Sequence, residues 1–308
     1  MAQITTVIPT YRRPHLLARA IHSALGQTYR DIVVCVYDNC SGDETAAVVA
    51  EIQARDPRVR YFRHADNIGA LGNFRFGMDA VETPYFSLLS DDDILLPGFY
   101  ENAMAALVRR PSARFVITPT AVVTTRGATA HIAGPRATWP AGLYTPPQGF
   151  VEMIKRCPPT WTGMLISREA LAVVGGVDGA IGVTADLEFE YRLASRFPYA
   201  AVSEPGAVFY LHSGTEDSAV LYPLSSIEGR LEMFRRIRAG FGVLPAEVGE
   251  AAYRVVKRRH LLRVLKKGGQ MIWRRNGRAL GLVGENLRRV HGMPLFGRLW
   301  DLLGRLFP

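Results

Sequence analysis

Four short apolar runs, each followed by an amphipathic stretch, fill the N-terminal third of the chain, and this alternation limits the fold more than any other feature. Ile4 to Pro9, Ile32 to Tyr37, Val59 to Phe62 and Tyr85 to Leu89 have the length and the branched or aromatic content of buried strands. Pro14 to Gln27, Asp43 to Arg55, Gly69 to Val81 and Pro97 to Arg109 carry apolar residues at helical spacing, as in Leu17, Ala20, Ile21 and Ala24. Strands alternating with helices predict parallel pairing through right-handed crossovers, hence an α/β, mostly parallel sheet flanked by helices. Ligands of such open sheets bind at the carboxyl ends of the strands, near the point where strand order reverses. Those ends are polar here: Thr10-Tyr11-Arg12-Arg13, Asp38-Asn39, Asp66-Asn67 and Ser90-Asp91-Asp92-Asp93.

The last of these is the most demanding. Three adjacent carboxylates between two apolar segments repel one another unless a cation sits among them. Oxygen-only ligands favour Mg2+ or Mn2+ over Zn2+, and Mg2+ characteristically shares substrate phosphates. The competing reading is an acidic turn preceding the helix that begins near Pro97. Glycine-rich phosphate loops, Gly-x-x-x-x-Gly-Lys-Ser/Thr or Gly-x-Gly-x-x-Gly, are absent from the sequence. A phosphate-bearing ligand is therefore expected to be held through metal.

Charge is divided unevenly. Of 37 Lys and Arg and 28 Asp and Glu, residues 225–308 hold 18 and 6, leaving 19 and 22 for residues 1–224. The expected division is thus an α/β domain over 1–224, whose regular alternation ends near 120, and a basic, mainly helical region over 225–308. Cys35, Cys40 and Cys157 show no metal-ligand or redox spacing, which fits a reducing cytosol. The chain opens directly on a strand pattern without a signal-peptide pattern, and no apolar run approaches the roughly 20 residues of a spanning helix.

After a fifth strand, Arg114 to Thr118, the alternation stops; Val122 to Tyr144 reads as strands or loops beside the cleft. Trp161 has two readings, a sugar-stacking face or a loop-anchoring indole. Asp186 opens a helix, with Glu188 and Arg192 as acceptor contacts or a structural pair, and Asp186 itself as a base or an N-cap. His212 ends an apolar strand; the other histidines have no supporting pattern. The C-terminal helices combine basic clusters such as Lys257-Arg258-Arg259 with the Leu-, Phe- and Trp-rich end from Pro294 to Phe307. Such faces favour an anionic membrane surface, with packing on the catalytic domain or a second copy as the alternative. Nucleic acid is not expected, because no recognised binding motif accompanies the charge.

Val7-Ile8-Pro9-Thr10-Tyr11-Arg12-Arg13, Ala24-Leu25-Gly26-Gln27-Thr28-Tyr29, Val36-Tyr37-Asp38-Asn39-Cys40-Ser41-Gly42-Asp43 and Asn67-Ile68-Gly69 resemble successive signatures of the family 2 glycosyltransferases. Ser90 to Asp93 then occupies the place of that family's Asp-x-Asp motif, with Ser90 where an Asp is frequent. The resemblance spans roughly Ile4 to His212. It implies a GT-A (Rossmann-like) fold, a nucleotide-sugar donor, UDP- or TDP-linked by preference, Mg2+ or Mn2+, and inversion at the anomeric carbon. The scarcity of Lys beside Arg is compatible with GC-rich bacterial coding, which suits cell-surface polysaccharide or glycolipid synthesis on a carbohydrate or lipid-linked acceptor, and the cysteine pattern with the basic tail fits a cytoplasmic enzyme, peripheral at the membrane's inner face. By the same resemblance Pro9, Thr10, Tyr11, Arg13, Asp38, Asn67, Asp91 and Asp92 line the nucleotide site, Asp38 on the base. Asp93 is the direct metal ligand, with Asp91 and His212 near the ion. Ala185-Asp186 stands at the family's Glu-Asp pair, making Asp186 the base. Two other classes compete: a silent nucleotide-binding assembly module, hinted at by Ser90 and Ala185, and a sugar-1-phosphate nucleotidyltransferase, whose triphosphate loop Pro9 to Arg13 does not match.

Overall fold

The computed structural model describes residues 2–126, 129–135, 139–156, 159–212, 224 and 226–306. β1 (Ile4–Thr10) and β2 (Ile32–Asp38) are buried along their whole length, as parallel strands covered on both faces must be. β3 (Val59–Arg63) and β4 (Tyr85–Leu88) complete a parallel group in the order β3-β2-β1-β4. The connections are α1 (Pro14–Leu25), α2 (Thr45–Gln53) and α3 (Ala70–Asp79). Gly77 lets α3 lie close on the sheet: a Cβ there would stand 2.5 Å from Val7 Cγ1 and 3.1 Å from the Tyr37 ring.

Beyond β4 the short strand β5 (Ile94–Leu95) precedes α4 (Phe99–Arg109). The buried Tyr100 of α4 hydrogen-bonds Thr6 and Ser87 through its hydroxyl, both at 2.6 Å, which clamps α4 across β1 and β4. Gln27, wholly buried, donates to the Leu96 carbonyl and accepts from the Tyr100 amide, so the end of α1 is stitched to the start of α4.

The sheet continues with β6 (Phe115–Ile117), β9 (Gly142–Tyr144), β10 (Met164–Ser167) and β11 (Tyr199–Ala201), giving β3-β2-β1-β4-β10-β6-β11-β9. β10 is antiparallel to both its neighbours, a reversal that the strand–helix repeat does not announce. A second sheet, β5-β12-β7-β8, contains β7 (Thr120–Arg126), β8 (Thr129–Pro135) and β12 (Ala207–His212). The Gly- and Pro-rich stretch after Val122 therefore includes a hairpin strand of its own. α5 (Gln148–Arg156), α6 (Arg168–Val174) and α7 (Ala185–Arg196) separate the later strands.

The chain divides into two compact units, Met1–Gly179 with Arg192–His212, and Ala180–Tyr191 with Ser213–Pro308. The first holds both sheets. The second contains α8 (Ile227–Arg238), α9 (Ala246–Trp273), α10 (Gly277–Arg289) and α11 (Pro294–Arg305) around Val264, Val283, Leu287 and Trp300. Among the described residues no single helix is long and apolar enough to cross a membrane.

Candidate active site

The strand order reverses between β1 and β4, and Pro9 marks the spot. β4 pairs with Ile4 to Val7 and leaves the ladder after Leu89 donates to the Val7 carbonyl. A proline in a central strand normally forfeits a ladder bond. Pro9 comes where β4 has already turned away, so the missing N–H costs little and the two strands part. A cavity of about 460 Å3 opens there, within the size range of small-ligand clefts.

Its wall is built from the strand ends. β1 and the loop after it supply Pro9, Thr10, Tyr11 and Arg13; the loops after β2 and β3 supply Asn39 and Asn67; the turn after β4 supplies Ser90, Asp91 and Asp92. α3 adds Ala70, Asn73 and Phe74, one face of the helix by their spacing, and β12 adds Phe209. The loops are tied together. Arg12, in the left-handed region at φ 54°, donates its amide to Ser41 Oγ at 2.9 Å and its Nε to the Ser41 carbonyl at 3.0 Å. Asn39 donates to Asn67 Oδ1 and accepts from the Ile68 amide, each at 2.8 Å. Positive φ at a non-glycine residue is strained, and it persists here because two hydrogen bonds hold it.

The acidic run is partly compensated from within the protein. Asp91 accepts from Thr10 Oγ1 at 2.8 Å and from Arg13 at 3.2 Å, and the same Arg13 nitrogen reaches Asp92 at 2.8 Å. Burial pushes the Asp91 carboxyl up, partly offset by those two donors. Burial pulls the Arg13 guanidinium down, but Asp91 and Asp92 outweigh it and the net direction is up. Arg19 donates to the Asp92 carbonyl at 2.5 Å and lies 4.1 Å from the Tyr210 ring centre, fixing the turn from beneath.

Asp93 differs from its neighbours. It is wholly buried and does not line the cavity; Oδ2 accepts from Thr162 at 2.8 Å and Oδ1 from the Tyr210 amide at 2.9 Å. Burial raises it to about 7 despite those two hydrogen bonds. The expected direct ligand is thus turned inward, and the carboxylates facing the cavity are Asp91 and Asp92. Asp38 is held inward as well. It is buried, accepts from the amide and hydroxyl of Ser41 and from the Tyr61 hydroxyl, and holds the β2 turn while Asn39 faces the cavity.

Ser90, Asp91 and Asp92 offer oxygen donors alone. Among the described residues no three His, Cys, Asp or Glu side chains are grouped to hold an ion by themselves. That donor set fits Mg2+ or Mn2+, which complete their shell with substrate phosphate and water and need one or two protein carboxylates.

The family model for glycosyl transferase family 2 matches residues 5–175. The chain belongs to that family. Over 105 residues, 34% of each chain, it is 34% identical to GalNAc(5)-diNAcBac-PP-undecaprenol beta-1,3-glucosyltransferase of Campylobacter jejuni. It is 37% identical over 94 residues to the succinoglycan biosynthesis protein ExoO of Rhizobium meliloti, 30% of this chain and 26% of that one. The matched stretch thus spans about a third or less of these relatives. Among solved structures, S. aureus TarS 1-349 in complex with UDP-GlcNAc aligns with a TM-score of 0.68 at 15% identity, covering 99% of this chain and 89% of that one. The mannosyltransferase PcManGT of Pyrobaculum calidifontis, in complex with GDP-Man and Mn2+, aligns at 0.59 and 14%, covering 99% and 84%. Identities this low speak to the fold alone, and the fold agrees with the GT-A expectation.

Within the family 2 framework the acceptor candidates need revision. Glu188 is wholly buried and ion-paired to Arg236 at 3.0 Å, a structural role. Arg192 donates to the carbonyls of Val174, Gly175 and Gly176, closing the C-terminal end of α6. Trp161 packs on Phe74 with ring centres 4.4 Å apart; it backs a cavity residue without lining the cavity. Asp186 stands in the first turn of α7. His212 closes β12, and its side chain lies outside the described part of the structure. Sequence reasoning missed Asn73, Phe74 and Phe209 as cavity residues. The spacing of Ala70, Asn73 and Phe74 was a usable signal for α3; nothing local marks Phe209.

Proposed function

We propose that the protein transfers a sugar from a nucleoside-diphosphate sugar to an acceptor hydroxyl with inversion, in cell-surface polysaccharide or glycolipid synthesis. The observation that carries this reading is the convergence of Thr10, Tyr11, Arg13, Asn39, Asn67, Asp91 and Asp92 on one cavity at the switch point of a family 2 sheet. UDP-sugar is the preferred donor, supported by the likeness to the UDP-GlcNAc-bound TarS fold. A lipid-linked acceptor is supported by the Campylobacter relative, whose name carries an undecaprenol diphosphate.

In this proposal Pro9, Thr10 and Tyr11 border the nucleoside, and Asn39 with Asn67 takes over the base contact first assigned to Asp38. Asp92, with Asp91, would hold Mg2+ or Mn2+, which when bound neutralises the departing diphosphate. Arg13 is the protein's own cation at the same place. Asp186 is the proposed base: it takes the acceptor hydroxyl's proton as the new bond to the anomeric carbon forms and the bond to the diphosphate oxygen breaks. The second unit is proposed to hold the enzyme at an anionic membrane surface, a second copy being the competing occupant.

The deciding experiment is calorimetric titration of UDP, TDP and GDP with and without Mn2+. Tight binding of UDP that requires Mn2+, weakened at least about tenfold by Asp92→Asn and little by Trp161→Phe, is the expected result. Binding that ignores both the ion and Asp92 would overturn the metal assignment. Donor hydrolysis or transfer lost in Asp186→Asn, with nucleotide affinity retained, tests the base; a protein that binds UDP but never consumes a UDP-sugar would favour a silent module.

A further inference from the structure

In a helix packed on a protein and facing water, the outward side is polar; in α11 it is leucine. At about 100° per residue, Leu295, Leu299, Leu302 and Leu306 fall within about 60° of arc. All four are exposed, Leu295 to 77%. Gly297, Trp300 and Gly304 lie about 160° away on average, and that side is the packed one. A Cβ on Gly297 would meet the Gly284 carbonyl, one on Gly304 the Gly277 carbonyl, and Trp300 covers Gly268 of α9. The helix is thus apolar on both sides, and Arg298 and Arg305 share the narrow flank between them.

α9 shows the same inversion. Leu262, Leu265, Ile272 and Trp273 are exposed, Trp273 to 85%. Residues 251–284 contain ten Lys or Arg and no Asp or Glu, so the apolar side chains sit in an uninterrupted positive field. Arg263, Lys266 and Arg274 crowd Lys267, which burial and those neighbours hold below the usual lysine range. Further along, Arg254, Lys257, Arg258 and His291 surround a hollow of about 270 Å3 floored by Leu261 and Met293. Arg254, Arg258, Leu261, Leu265 and Ile272 follow helical spacing on α9, so this basic hollow shares one face with the exposed Leu265 and Ile272, and the exposed Leu262 and Trp273 flank it on one side.

We propose that this face of α9, with the leucine side of α11, is an interfacial docking surface for an anionic phospholipid bilayer: leucine and tryptophan enter the headgroup boundary, and the Arg254 hollow takes up lipid phosphate. This deepens the membrane reading given above. Charge decides for lipid over a second copy. Two copies meeting here would set the Arg254, Lys257 and Arg258 cluster of one against that of the other, whereas an anionic leaflet rewards each such charge by about fivefold in affinity.

The test is co-sedimentation of the full chain with vesicles of phosphatidylcholine alone or mixed with phosphatidylglycerol. Binding to the anionic vesicles only is expected. Leu299→Glu/Leu302→Glu and Arg254→Glu/Arg258→Glu should each reduce it at least about tenfold while leaving the unfolding midpoint unchanged, since all four side chains lie at the surface. Bound protein should show blue-shifted tryptophan emission that Trp273→Phe removes. Absence of binding to anionic vesicles, or equal binding to both kinds, overturns the proposal. So does a leucine variant that turns a dimer into a monomer in light scattering while vesicle binding persists. UDP titration on the same preparations is a separate readout, so a failed donor reading and a failed membrane reading can be told apart.

Discussion

Asp91 is a buried carboxylate satisfied by Thr10 and Arg13, and the smallest change that disturbs it is Thr10→Val. The substitution keeps the shape and deletes one donor to a buried acid, so a loss of about 1–3 kcal/mol in urea unfolding is expected. Glu188→Ala removes the buried carboxylate from Arg236, which keeps Glu232 at 2.9 Å, so about 1–3 kcal/mol of stability should go. An acceptor contact would instead raise KM at unchanged stability, so one denaturation curve separates the two roles. At this scale the sequence was legible where a side chain's task is local. Thr10, Tyr11, Arg13 and Asn67 follow strand ends and face the cavity as that position predicts. It was not legible for Asp93 and Asp38. Three adjacent acids look alike in a string; Thr162 and Tyr210, 69 and 117 positions away, decide which of them is turned inward.

The helices of the second unit make their prediction through one glycine. A Cβ on Gly284 would lie 2.3 Å from Asp301 Oδ1 and 2.7 Å from the Gly297 carbonyl, so Gly284→Val must separate α10 from α11. A cost of about 1–3 kcal/mol, read as a lower thermal midpoint, is expected, whereas the open Gly281 should tolerate alanine. The Arg288–Asp301 ion pair spans the same seam. Elements were the most readable level of this chain. Short apolar runs and period-3.6 patterns placed β1 to β4 and α1 to α4 within a few residues. β10 escaped as an antiparallel strand because direction is set by which neighbour it pairs with, and no residue within Met164 to Ser167 carries that information.

For the whole molecule, acid is the informative perturbation. His260 is buried against His291, with its Nδ1 2.9 Å from His291 Nε2. Burial, then Arg230, His291 and Arg263, hold His260 down to about 2, and burial with Lys257 and Arg230 holds His291 down to about 4. Both are therefore neutral in the fold at pH values where the unfolded chain would protonate them. Their contribution is fully present above about pH 6.5 and is lost as the pH falls, by up to about 1.4 kcal/mol per pH unit from His260. Thermal melts between pH 7 and 5 should show a falling midpoint, and His260→Phe should flatten the slope. A steeper slope in the variant would place the acid sensitivity elsewhere.

The return of β12 also sets a timetable. Every loop around the cavity is in place once residue 92 has been made, yet one wall side chain, Phe209, and the amide that satisfies Asp93, Tyr210, arrive more than a hundred residues later. A nascent chain released from the ribosome only as far as α6 would hold the strand-end loops with a buried acid still short of a donor. Such a chain should be cut readily by protease and retained poorly on immobilised UDP, and both properties should change together when β12 emerges. Ligand competence would then be acquired in a single late step of synthesis, protecting the growing polypeptide from engaging its donor before it is complete enough to use it.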